Sequence, residues 1–123
     1  MTNYKISSTQ SPISIQAAED IERGRFITAD GYMWTGTTPK DLPIVGVSLE
    51  CVKAGQGIPV ATNDGDRVVV ESGIAIAVGD KVYSDAVGRA TTVSTLHPDG
   101  GIAVSVASGV GEETLIILRI VNL

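Results

Sequence analysis

Residues 47–60 read VSLECVKAGQGIPV, and residues 104–117 read VSVASGVGEETLII. Each stretch is an alternating apolar run, a Gly-bearing polar turn and a second apolar run, and the second begins 57 positions after the first (104 − 47). Period 2 puts successive side chains on opposite faces of an extended chain, so each stretch reads as strand, turn, strand. The repetition predicts an all-β chain built of two related half-modules.

The text on either side of these stretches repeats in the same way. Ile13, Ile15 and Ala17 alternate with Ser14 and Gln16, while Ile74, Ile76 and Val78 alternate with alanines. Gly24-Arg25-Phe26-Ile27-Thr28, followed by Asp30 and Gly31, is matched by Gly79-Asp80-Lys81-Val82-Tyr83-Ser84, followed by Asp85 and Gly88. These leading glycines stand 55 apart (79 − 24). The Thr35–Pro43 loop has its counterpart in residues 94–101, STLHPDGG. Two offsets of similar size predict halves that pair about a pseudo-twofold, each covering the apolar face of the other, with neither stable alone.

Turn chemistry adds detail. Asp30-Gly31 between two β-prone runs predicts a hairpin. Asn63-Asp64-Gly65-Asp66 predicts another, joining Thr62 to Arg67-Val68-Val69-Val70. Pro59 has no backbone donor, which predicts an edge strand or a bulge there. Ile21 to Arg25 is the one stretch where a short turn of helix competes with strand. Residues 1–12 are polar and aperiodic, so they read as a flexible N-terminal arm preceding one β-rich domain over residues 13–123.

Composition bounds the function. A chain of 123 residues is ordinarily one domain able to bury about two-thirds of its unfolded surface. Hydrophobic residues make up 43% but aromatics only 4%, so the core must come from Val, Ile, Leu and Ala. The net charge of −5 opposes the counterion release that drives nucleic-acid binding, and argues against anionic membrane surfaces as well. No nucleic acid or membrane partner is expected. A single cysteine, Cys51, excludes an internal disulfide and a thiolate metal cluster, and its apolar strand predicts a buried, inert thiol. MTNYKISSTQSP contains no apolar stretch of signal-peptide length, so a soluble cytoplasmic product is expected.

Candidate chemistry is sparse. His97 is the sole histidine and sits in Leu96-His97-Pro98-Asp99-Gly100, a surface-turn composition without an activated serine elsewhere. Asp64 and Asp66 lack the spaced third oxygen ligand of a calcium loop. Gly55-Gln56-Gly57 lacks the following helix that a phosphate cradle needs. No enzyme activity, cofactor or metal is expected. Tyr32 and Trp34, beside the Thr-rich loop, either cap the core or anchor an interface, since both residue types are enriched at interfaces.

The segments GIAIAVGDKVYSDAVGRATT at 73–92, the strand at 102–107 and TLIILRIV at 114–121 resemble a family of phage capsid decoration, or cement, proteins. Ile21-Glu22-Arg23-Gly24-Arg25-Phe26-Ile27 and IVGVSLECVKAGQGIPVA at 44–61 extend the likeness to residues 13–121. The resemblance implies a compact β-tulip or barrel-like body that binds the outside of an assembled head at the virion surface. It further implies a homotrimer whose partner is the major capsid protein. Possible capsid or self contacts are Tyr4 and Ile6 in the arm, with Tyr32 and Trp34. A carbohydrate- or receptor-binding phage module is the alternative, and it would use the same exposed aromatics.

Overall fold

Runs rich in Val, Ile and Thr that alternate with polar or small residues form the strands, as their packing on a pleated surface favours. The computed structural model describes residues 13–93 and 99–119. The segment 1–12 with Tyr4 and Ile6, the turn carrying His97, and the last four residues lie outside the described residues. The described chain is all-β, with no helix, including over Ile21–Arg25.

Four strands make a first antiparallel sheet: β1 (Ile13–Gln16), β2 (Phe26–Thr28), β3 (Ile44–Ser48) and β4 (Gly57–Ala61), in the order β1-β4-β3-β2. Five make a second: β5 (Arg67–Glu71), β6 (Lys81–Ser84), β7 (Ala90–Thr91), β8 (Asp99–Ala103) and β9 (Glu113–Leu118), in the order β5-β9-β8-β6-β7. Both sheets are open; neither closes into a barrel.

The second sheet repeats the first, with β7 added at one edge. An isolated bridge Ile21↔Val52 is repeated as Ile76↔Ala107, an offset of 55 at both residues. Gly24 N donates to Ser48 O and Gly79 N to Ala103 O; Gly55 N donates to Ala17 O and Gly111 N to Ser72 O. From Lys53 onward the offset is 56, since Gln56 N donates to Lys53 O as Glu112 N does to Gly109 O. The buried set Ala17, Ile21, Ile27, Ile58 and Val60 recurs at the equivalent positions Ser72, Ile76, Val82, Thr114 and Ile116. The 57-residue offset read from the sequence is therefore corrected: Leu49, not Val47, is the counterpart of Val104, since Leu49 N donates to Pro59 O as Val104 N does to Leu115 O. A period of 2 cannot distinguish a match from its neighbour two residues along.

Two further expectations change and one holds. The Asn63–Asp66 turn forms, with Asp66 N donating to Asn63 O at 3.1 Å and Gly65 at φ 91°, but it carries the chain from one sheet to the other and makes no hairpin. Pro59 lies in β4, an interior strand, and the edge is β1. It is tolerated because β3 and β4 pair only through Val47↔Ala61 and Ser48↔Val60, so the missing donor falls where β3 is leaving. Asp30-Gly31 does close a hairpin, with Thr28 N bonded to Tyr32 O and Ile27 bridged to Met33.

The halves meet head to tail, without the pseudo-twofold. Glu71 N donates to Gly24 O at 2.9 Å and Phe26 N to Gly88 O at 2.9 Å. A twofold would demand the same contacts between Gln16 and Gly79, yet nothing among the described residues approaches within 4 Å of the position a Gly79 Cβ would take. Phe26 instead inserts its ring over Gly100 in the second half, and the principal core runs from Phe26, Trp34 and Val47 to Val70, Val82, Ile116 and Leu118.

Candidate interaction surface

Several titratable side chains among the described residues are held in structural bonds. Glu71 joins the halves: it accepts from Arg25 Nη2 at 3.2 Å and lies 3.0 Å from Arg89 Nε, off the angle of a hydrogen bond, so that second contact is ionic only. Arg23 pairs with Glu113 across the same junction, and Arg25 Nη1 donates to Val87 O. Lys40 pairs with Glu19, whose other oxygen accepts from Met33 N. Among the described residues no group of three His, Cys, Asp or Glu side chains is placed to hold a metal.

A cavity of about 150 Å³ lies between Asp20–Glu22 and Cys51–Lys53. The Asp20 carboxylate in its wall is already bound: Oδ1 accepts from Ala54 N and Oδ2 lies 3.6 Å from Lys53 Nζ. The Ala54 amide, and after it the Lys53 charge, hold the Asp20 carboxyl below the usual aspartate value. Cys51 is exposed, contrary to the buried thiol expected, because β3 ends at Ser48; its Sγ accepts from Arg23 N at 3.4 Å.

The two halves differ most at the ends held by the repeated bridge. In the first half these segments carry Glu19, Asp20, Glu22, Arg23, Glu50 and Lys53. In the second half residues 73–79, GIAIAVG, and 104–111, VSVASGVG, carry no charge. Ile76 and Ala107 exchange backbone bonds of 2.8 and 2.9 Å and hold the two segments side by side. Val78, Val106 and Val110 are 61%, 65% and 66% exposed, and Ile74 stands beside them in the same uncharged stretch. Isolated exposed apolar residues are ordinary, but a clustered, charge-free end is the mark of an interaction surface.

Of the aromatics singled out in the sequence, Trp34 is 7% exposed and belongs to the principal core, with Gly36 packed against its indole. Tyr32 is half-buried, with Lys40 Nζ 5.4 Å from its ring centre. Tyr32 belongs to the first half, whereas the uncharged end belongs to the second. Sequence reading missed that end because its alternation of Ile and Val with Ala read as a half-buried strand. The signal that distinguishes it is the comparison of equivalent positions, charged in one half and uncharged in the other.

The sequence model of one family, described as phage cement protein, matches residues 6–120. Among solved structures, the N base of the head fiber gp8.5 of bacteriophage phi29 is similar with a TM-score of 0.63 and 17% identity, over 90% of this chain and 97% of that one. At that identity the likeness is one of fold. No curated protein matches the chain.

Proposed function

The chain belongs to the phage cement protein family, and from that premise we propose that it attaches to the outside of an assembled phage head, contacts the major capsid protein and strengthens the shell without catalysis. The match over residues 6–120 carries this reading. The head-fiber likeness supplies a fold that another phage head protein also uses. Binding that favours the assembled lattice stabilises it by mass action, about 2.7 kcal/mol per site at a free concentration one hundred times the dissociation constant. Many weak sites suffice, and no titratable machinery is needed.

The uncharged end of the second half faces the shell, with Val106 and Val110 as its contacts. Their counterparts in the first half, Cys51 and Ala54, stay exposed after the halves pack, so this end is left free by head-to-tail contacts. The protein works on the virion surface as a closed homotrimer, the arrangement common among capsid-decorating proteins, after synthesis in the host cytoplasm. Residues 1–12 add a second attachment through Tyr4 and Ile6; Ile6 is the first residue of the family match. Tyr32 offers its half-exposed ring as a lesser contact, and Trp34 supports the loop behind it.

Heads assembled without the protein and heads saturated with it are compared by the temperature at which they release DNA. Decorated heads should withstand a higher temperature, and Val106→Glu with Val110→Glu should abolish both binding and the gain. Equal rupture temperatures for bare and saturated heads would overturn the proposal. Deleting residues 2–12 should leave the thermal midpoint of the free protein unchanged and weaken attachment.

A further inference from the structure

The junction between the halves is one-sided. In the first half a cross-strand row, Phe26↔Val47↔Ala61, is buried throughout, and it is buried against the second half. Register gives the equivalent row in the second half as Lys81↔Ile102↔Ile117. Lys81 is exposed there, while Ile102 and Ile117, and Leu115 on the same face of β9, are only half-buried. A Cβ on Gly24 would meet the backbone of Glu71, Val69 and Val70, whereas one on its counterpart Gly79 would find no described atom within 4 Å. The second half therefore carries a partly apolar row, with Lys81 where the first half has Phe26, and a backbone edge like the one the first half uses for docking, without a described occupant.

The complementary surface is on the first half. The outer edge of β5 is capped where Glu71 N donates to Gly24 O. The equivalent strand β1 is also an edge, and Gln16 is the counterpart of Glu71. Ala17 N points to β4, donating to Gln56 O at 2.7 Å, so the Gln16 N–H, one residue back, points outward. Gln16 is exposed, and no described acceptor meets that amide. One chain thus has an unoccupied docking row on its second half and, beside the Ala18 N–Gly31 O bond that already caps part of β1, an unmet Gln16 amide on its first.

We propose that two copies associate by repeating the internal junction. The Lys81–Ile102–Ile117 row and the Gly79 carbonyl of one copy dock on the β1 edge of the next, with Gln16 N donating to Gly79 O. The occupant is a second copy of this chain, because the fitted surface is its own first half. Val78, the counterpart of Arg23, takes over from that residue's ionic contact with Glu113. The contact is heterologous, and a heterologous contact closes into a ring when its rotation permits. This deepens the closed-oligomer part of the reading above and names the surfaces that make it.

The test uses two single-face variants of the full chain. Ile117→Lys spoils the docking row, and Gln16→Pro removes the outward donor at an edge position that tolerates proline. Where either fails to fold by circular dichroism, Ile102→Lys or Gln16→Lys replaces it. Light scattering should find the parent oligomeric and each variant monomeric. An equimolar mixture of the two variants should give a species of twice the monomer mass, because each contributes one intact face. A parent that is monomeric at its highest soluble concentration overturns the proposal, as does either variant assembling like the parent. A mixture that stays monomeric also overturns it. Head binding of each variant is measured separately: decoration retained by monomeric variants leaves the capsid reading standing, whereas decoration lost for a fully assembled protein sinks that reading alone.

Discussion

Gly100 has an ordinary backbone conformation, so its requirement is one of space: an added Cβ would lie 2.4 Å from Cζ of Phe26, a ring that is itself fully buried. Gly100→Ala should cost about 1–3 kcal/mol, the range for forcing extra volume into a packed core, read as a lowered denaturation midpoint. The sequence presents Asp99-Gly100-Gly101 as the end of a loop. It becomes β8 because the missing side chain lets Phe26 lie on the strand, a contact between residues 74 positions apart that no local pattern encodes. Trp34 was ambiguous for the same reason, since its burial depends on the facing sheet. Asp20 supplies a prediction of a different kind. Its folded carboxyl titrates below the unfolded value, so its contribution to stability is complete above the ordinary aspartate pKa and is lost as pH falls through the lowered folded one. A carboxyl-detected NMR titration should give Asp20 the lower value, and Ala54→Pro, which removes the donating amide, should move it back toward normal.

At the level of elements, the strands were legible wherever an apolar run had a partner in the other half, and least so where turn residues carried the decision. The Asn63–Asp66 turn has hairpin chemistry yet divides two sheets, because β4 is already paired on both sides by β1 and β3. The edge therefore moves to β1, and hydrogen exchange can show it. In the isolated chain the Gln16 amide should exchange faster than the Ala17 amide, which is bonded to Gln56 O. The junction between β2 and β5 depends on Glu71, which faces two guanidinium groups, one of them on the buried Arg25. Glu71→Gln leaves those cations without a countercharge. It should cost roughly 2–3 kcal/mol by chemical denaturation, below the full cost of breaking a buried pair because the carboxylate is partly solvated. Long-range ion pairs of this sort have no signature in sequence spacing.

At the level of the molecule, each half contributes a surface that only the other covers. Residues 1–62 and 63–123 expressed separately should be unfolded by circular dichroism and should regain strand signal when mixed; either fragment folding alone would contradict the shared core of Phe26, Val47, Val82 and Leu118. The repeat itself was readable from glycines and alternation, whereas its head-to-tail packing was not, since packing follows from differences between equivalent residues. Those differences have a consequence for adhesion. A ring of identical half-modules would have to present the same chemistry at every corner, and a uniformly apolar rim would clump before it met a shell. With two halves in one chain, the charged end around Cys51 and Lys53 and the bare end around Val106 and Val110 alternate around any such ring. The assembly would then stand on every second corner, as on feet, and the corners between them would keep it dispersed until it lands.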